Sequence, residues 1–128
     1  MRAFSRIGVA LGGALLIAAP TAYPAAAAPP DDRGLCVSKS GWGELCLKQD
    51  PRGYDISYYK AWNPGHQVDR LDFNLDCANG RWFGDEGAFT MWSMKWRSYT
   101  FAVGVQGRCW GVLINVDTGQ RMETPPVG

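Results

Sequence analysis

Few side chains in this chain could do chemistry, and their spacing restricts what they could do. The single histidine, His66, follows a Pro-Gly turn in "NPGH", where an imidazole is ordinarily a solvated loop group. No serine stands in G-x-S-x-G, and the four cysteines read as oxidised, so neither Ser-His nor Cys-His machinery is assembled. Carboxylates come next. Asp85 and Glu86 adjoin in "FGDEG", and Asp72 and Asp76 fall on alternate positions of one segment. Polysaccharide hydrolysis through Asp85 or Glu86 would need two carboxyls at a set separation around a sugar, one with a raised pKa. Acids on a polar strand face ordinarily serve solubility. "FGDEG" also lacks the D-x-D-x-D-G spacing of a calcium loop. No cofactor, metal or catalytic residue is expected.

Cys36, Cys46, Cys77 and Cys109 make an even set without a C-x-x-C pair, which favours two disulfides over a zinc site. Of the three pairings, Cys36–Cys46 with Cys77–Cys109 suits the layout. Cys36 and Cys46 each stand second in their segment, after Leu35 and Leu45. Cys77 lies on an apolar strand face from which it could reach across a core, and Cys109 opens another apolar segment. In the chain-entropy account the two loops contribute about 3 and about 4 kcal/mol.

Six tryptophans in one small chain suggest recognition, because indoles stack on sugar rings and anchor protein interfaces. Trp62, Trp82 and Trp110 are expected to fill the core. Trp42, between glycines in "SGWGE", is expected at an exposed turn tip. In "WSMKW", Trp92, Met94 and Trp96 alternate beside Lys95 and Arg97. A hairpin with "SMK" at its tip would pack Trp92 on Trp96, a pairing that contributes roughly 0.2–1 kcal/mol. One uninterrupted strand would instead set Trp92, Met94 and Trp96 on a single face, as a cation-rimmed platform or as part of the core.

The elements that must position these residues are short apolar segments cut by turn signals. "LCVSK" and "ELCLK" flank "SGWG"; "QDPRG" turns into "YDISYYKAW". In "VDRLDFNLDC", Leu71, Phe73, Leu75 and Cys77 share one face, and Arg70, Asp72, Asn74 and Asp76 share the other. "ANG" makes a hairpin turn, followed by "RWFG", "AFTMW", "RSYTFAVG", "CWGVLINV" and "QRME". No segment shows capped helical periodicity. The fold expected is all-β: one small β-sandwich, or partly open barrel, of seven to nine short antiparallel strands with two disulfides over residues 34–123. Residues 28–33 form a flexible lead-in and residues 124–128 a loose C-terminal tail.

Residues 1–27 have the layout of a secretory signal peptide. A cationic start precedes the apolar run "IGVALGGALLIAA", and small residues, including Ala25 and Ala27, set the cleavage site. The run is short for a membrane span. Of 13 basic side chains, Arg2 and Arg6 fall in the leader, against 12 acidic ones. The near-neutral remainder gives no electrostatic reason for nucleic acid or an anionic membrane as partner.

With its alanine-rich leader and four cysteines, the chain resembles small exported disulfide-linked β-proteins of actinobacteria. Within it, "GWGELCLKQDPRGYD", residues 41–55, is similar to a Cys-x-aromatic-turn stretch of the crystallin-like Streptomyces metalloproteinase inhibitors. Leu47-Lys48 stands where that family has a tyrosine after the cysteine. The resemblance implies secretion and makes proteinase inhibition the alternative function. The residues themselves favour a secreted, monomeric, non-enzymatic domain that binds an extracellular protein or cell-wall glycan through Trp92, Met94 and Trp96, with Trp42 second.

Overall fold

The computed structural model describes residues 32–128. The expected leader and residues 28–31 of the lead-in lie outside them. Nine strands follow in order: β1 Leu35–Lys39, β2 Gly43–Asp50, β3 Gly53–Lys60, β4 Val68–Cys77, β5 Trp82–Gly84, β6 Phe89–Trp92, β7 Trp96–Phe101, β8 Cys109–Asn115 and β9 Arg121–Glu123. β1 and β4 coincide with "LCVSK" and "VDRLDFNLDC". Among the described residues no helix is long and apolar enough to cross a membrane.

The strands form two antiparallel sheets. One runs β1-β2-β3-β7; the other runs β9-β8-β4, with β5 and β6 sharing the free edge of β4. β5 pairs with Asn74–Asp76 and β6 with Val68–Leu71, so residues 85–88 loop out where the shared edge is interrupted. Period-2 alternation decides which side chains face inward. β2 and β3 contribute Leu45, Leu47, Tyr54, Ile56 and Tyr58, and the other sheet contributes Leu71, Phe73, Leu75, Phe89, Met91, Leu113 and Met122. Burial stabilises by about 1.5–3 kcal/mol for each large apolar side chain. Phe73 and Phe89 pack at 4.9 Å between ring centroids. The Arg97 guanidinium reaches from β7 to lie 4.3 Å from the Phe89 ring, where the two sheets open.

Two turn glycines are obligatory. At Gly43 and Gly53, both at positive φ, a Cβ would stand 1.9 Å from the Tyr59 carbonyl oxygen and 2.1 Å from that of Phe101. Any side chain there would force neighbouring strands apart.

Both disulfides have the expected pairing, Cys36–Cys46 and Cys77–Cys109. Each joins directly opposed residues of adjacent strands, β1 with β2 and β4 with β8. Cys77 therefore does not reach across the core; its partner is its neighbour within the sheet.

The tail departs from expectation. Thr124 is buried, its backbone N–H donates to the Gly111 carbonyl, and its hydroxyl accepts from the Gly111 N–H. Val127 forms a two-way backbone bridge with Cys109. Residues 124–128 thus continue the edge pairing beside β8 beyond β9, and the two prolines fall at positions where no N–H is required. At the other end, Arg33 is not free lead-in: it bridges Glu44 at 3.3 Å and caps the Trp96 ring at 4.1 Å.

The tryptophans differ most from expectation. Trp62 and Trp82 are exposed and Trp110 is half-buried, so none of the three fills the core. Tyr54, Tyr58, Phe73 and Phe101 take that role. Trp82 lies on an outer sheet face: its indole N–H donates to Asn74 Oδ1 at 3.0 Å, and Arg121 sits 5.4 Å from its ring.

Candidate functional site

At one end of the sandwich the chain changes sheet twice. Residues 61–67 carry it from β3 to β4, and residues 93–95 return it from β6 to β7. The two crossovers are tied together through the backbone. Ser93 N–H donates to Gln67 O, Met94 N–H to Lys60 O, and Lys60 N–H to Lys95 O. The first crossover is also tied to the β1–β2 turn, with Ala61 N–H donating to Trp42 O and the Asn63 amide to Gly41 O.

Under the crossovers lies an ion pair. Lys60 is fully buried, and its ammonium donates to Asp69 Oδ2 at 2.6 Å. Each is the charged member of an inward-facing series: Tyr54, Ile56, Tyr58, Lys60 on β3, and Asp69, Leu71, Phe73, Leu75 on β4. The pair therefore bolts one sheet to the other. The neighbouring Tyr58 hydroxyl is buried without a hydrogen-bond partner. Burial and then the Asp69 charge push it above the ordinary phenol range, so it stays neutral.

The "WSMKW" segment is neither a hairpin tip nor one strand. β6 and β7 belong to different sheets, so Trp92 and Trp96 do not pair. Trp92 opposes Val68 on the outer face of one sheet, and Trp96 opposes Tyr59 on the outer face of the other. Met94 stands at the crest between them, at φ +64°. A non-glycine residue there costs about 1–2 kcal/mol, offset by the backbone bonds that Met94 and Lys95 make to Lys60. Trp92, Met94 and Trp96 are 59%, 62% and 50% exposed. They run as a ridge over the end of the sandwich, from the outer face of one sheet to the outer face of the other, and Trp62, 58% exposed, lies on the adjoining crossover. Trp96 is the most restrained of the ridge residues, 5.0 Å from the Tyr59 ring and capped by Arg33.

Trp42 is not the exposed tip expected of it. It is half-buried against the core, with the Lys39 ammonium 5.0 Å from its ring. It lines a cavity of about 190 Å³ together with His66 and Asp69.

The acidic candidates sit elsewhere. Asp85 lies at the interruption between β5 and β6, where its Oδ1 accepts from Gly87 N–H at 2.8 Å. Burial first, and then the Asp72 carboxyl within hydrogen-bonding reach, push its pKa up to about 6. Asp72 Oδ1 is buried and has no other partner. Carboxyls this close lack the gap of about 5–9.5 Å that glycoside hydrolysis requires. Glu86 is exposed. Among the described residues one trio offers closely spaced ligand atoms, Cys36, Glu44 and Cys46, and its two sulfurs are joined in a disulfide.

The ion pair and the cavity were missed from sequence, although a signal existed. Lys60 and Asp69 are charged residues in register with core positions, and an in-register charge asks for a partner. Compared with protein families, curated proteins and solved structures, the chain matches none.

Proposed function

We propose that this is a secreted, non-enzymatic β-domain that binds an extracellular partner through the ridge formed by Trp92, Met94 and Trp96. The observation carrying this reading is the exposure of three large apolar side chains on a backbone fixed from below. Interfaces draw their energy from such anchors, above all Trp, and a prefixed backbone reduces the ordering cost of association. The exposed cationic side chain of Lys95 suits the border of a contact patch. The leader-like N-terminus and the two disulfides support an oxidising, extracellular setting.

The test uses variants that leave the fold intact. Met94→Gly keeps the positive φ and removes the side chain; Trp92→Ala removes an indole that makes no ring contact or hydrogen bond among the described residues. Binding of pure protein to cell-wall polysaccharide and to secreted proteins is measured by sedimentation and by interferometry. Each variant should weaken binding about tenfold or more, the loss typical of an anchor residue. Undiminished binding by the double variant would remove the ridge from the site.

A second reading, proteinase inhibition, is supported by the shape of the crossover. A crossover segment with an exposed side chain at its crest, held by backbone hydrogen bonds, is suited to enter a protease cleft. Stoichiometric inhibition of a secreted protease, lost in Met94→Gly, would favour it over binding to a surface.

A further inference from the structure

The cavity beside the first crossover has a chemistry of its own. Trp42, Asn63, His66, Asp69, Asn115 and Gln120 line its 190 Å³. We infer that this cavity is a binding site for one pyranose ring of a neutral sugar, separate from the aromatic ridge.

Three observations carry the inference. The first is charge. Asp69 faces the cavity, yet its carboxylate is already neutralised by the buried Lys60, so the site has no net charge with which to hold an inorganic ion. One carboxylate oxygen is occupied by the Lys60 ammonium, and the other accepts no hydrogen bond among the described residues, with His66 Nδ1 3.8 Å away. That second oxygen is an acceptor held in place by a group that cannot leave.

The second is open valence. Asn115 Oδ1 accepts from the Asp117 and Thr118 N–H groups, which fixes its side chain and leaves the amide Nδ2 unused. The Gln120 amide and the Ser40 hydroxyl, also on the cavity wall, make no hydrogen bond among the described residues. Donors and acceptors are thus mixed around a neutral space. Vicinal sugar hydroxyls, each both donor and acceptor, offer the complementary pattern, and an ammonium or a carboxylate does not.

The third is shape. Trp42, packed partly against the core and flanked by Lys39, offers the part of its indole that reaches the cavity wall as an apolar surface for the C–H groups of a sugar ring. The cavity is smaller than the ~300–1,000 Å³ of a drug-sized ligand site, which restricts it to one ring. Its walls are preformed: Asn63 holds the β1–β2 turn through Gly41 O at 3.1 Å and its own loop through Gly65 N–H at 3.2 Å.

The test is a titration of the isotope-labelled protein, followed by amide and indole NMR shifts. Methyl glucoside and methyl N-acetylglucosaminide are added separately, with glycerol as the control for a general polyol effect. Saturable shifts centred on residues 40–42, 63–69 and 115–120, with the Trp42 indole N–H among them, are expected for at least one of the two. His66→Ala and Gln120→Ala alter exposed side chains, of which His66 makes one long contact, 3.8 Å to Asp69. Each should weaken binding about 2- to 10-fold, the loss of one hydrogen bond, while Trp92→Ala leaves it unchanged. No saturation with either sugar overturns the inference, as do affinities in both cavity variants equal to that of the unaltered protein, or shifts centred on the ridge. Because the ridge variants and the cavity variants are different residues, failure here is distinguishable from failure of the binding ridge.

Discussion

Lys60 occupies a position that its strand otherwise gives to core residues, and it is tolerated there because Asp69 arrives from the opposite sheet at the same depth. Removing one partner leaves the other charge buried without compensation, which costs about 3–5 kcal/mol; replacing both with apolar groups of similar volume is often neutral. Lys60→Met should therefore lower the free energy of urea unfolding by that amount, and Lys60→Met with Asp69→Leu should recover most of it. A double variant as unstable as the single one would mean that the pair is not a closed electrostatic unit. The same pair shows what sequence reveals at this scale. Alternation in "YDISYYK" and "VDRLDF" places both charges on inward faces, but only the fold shows that the two faces meet. Met94 is the converse case. Nothing in its neighbours demands a positive φ, which follows from the chain having to change sheets there.

Strand identity was legible because period-2 alternation and turn chemistry are local, and all nine segments read from the sequence are strands. Partner choice was not. "AFTMW" and "RSYTF" lie next to each other with a short break between them, the usual mark of a hairpin, yet β6 continues the edge of β4 and β7 completes the other sheet. The pairing is decided by which free edge is open and by which register buries Phe89 and Phe101, both long-range facts. The C-terminal segment was misread for a related reason, since its prolines suggested a tail and Val127 instead occupies the edge beside Cys109. Deleting residues 124–128 would take away the acceptor of the Gly111 N–H and strip the bridge to Cys109. We expect a loss of about 1–3 kcal/mol, the cost of leaving a buried donor unpaired, read as a lower thermal midpoint. An unchanged midpoint would mean that this segment is not part of the folded unit.

For the whole molecule, two carboxyls set the pH response in opposite senses. Hydrogen bonds donated by the side chain and the backbone N–H of Arg52 to its carboxylate hold Asp50 down to about 2, so the stability it confers is present above its ordinary value of 3.8 and is lost as pH falls below that. Asp85 is pushed up to about 6; the folded protein binds this proton more tightly than the unfolded chain does. Its contribution is full below 3.8 and declines as pH rises towards 6, after which it is constant. The two together give a thermal midpoint that is highest near pH 4. Asp85→Asn should flatten the decline between pH 4 and 6, and Asp50→Asn the loss below it. A slope unchanged in Asp85→Asn would assign that limb to other groups. The sequence placed Asp85 in a loop but could not show that Asp72 lies beneath it. One consequence follows from how the second crossover is held. Every bond fastening residues 93–95 to Lys60 and Gln67 runs through the main chain or the small Ser93 hydroxyl. The identities of residues 92 and 95 are therefore nearly decoupled from foldability, and residue 94 is restricted by its positive φ and by the N–H it donates to Lys60. Substitution there leaves the architecture constant, which makes this end of the domain a practical place for grafting a recognition sequence.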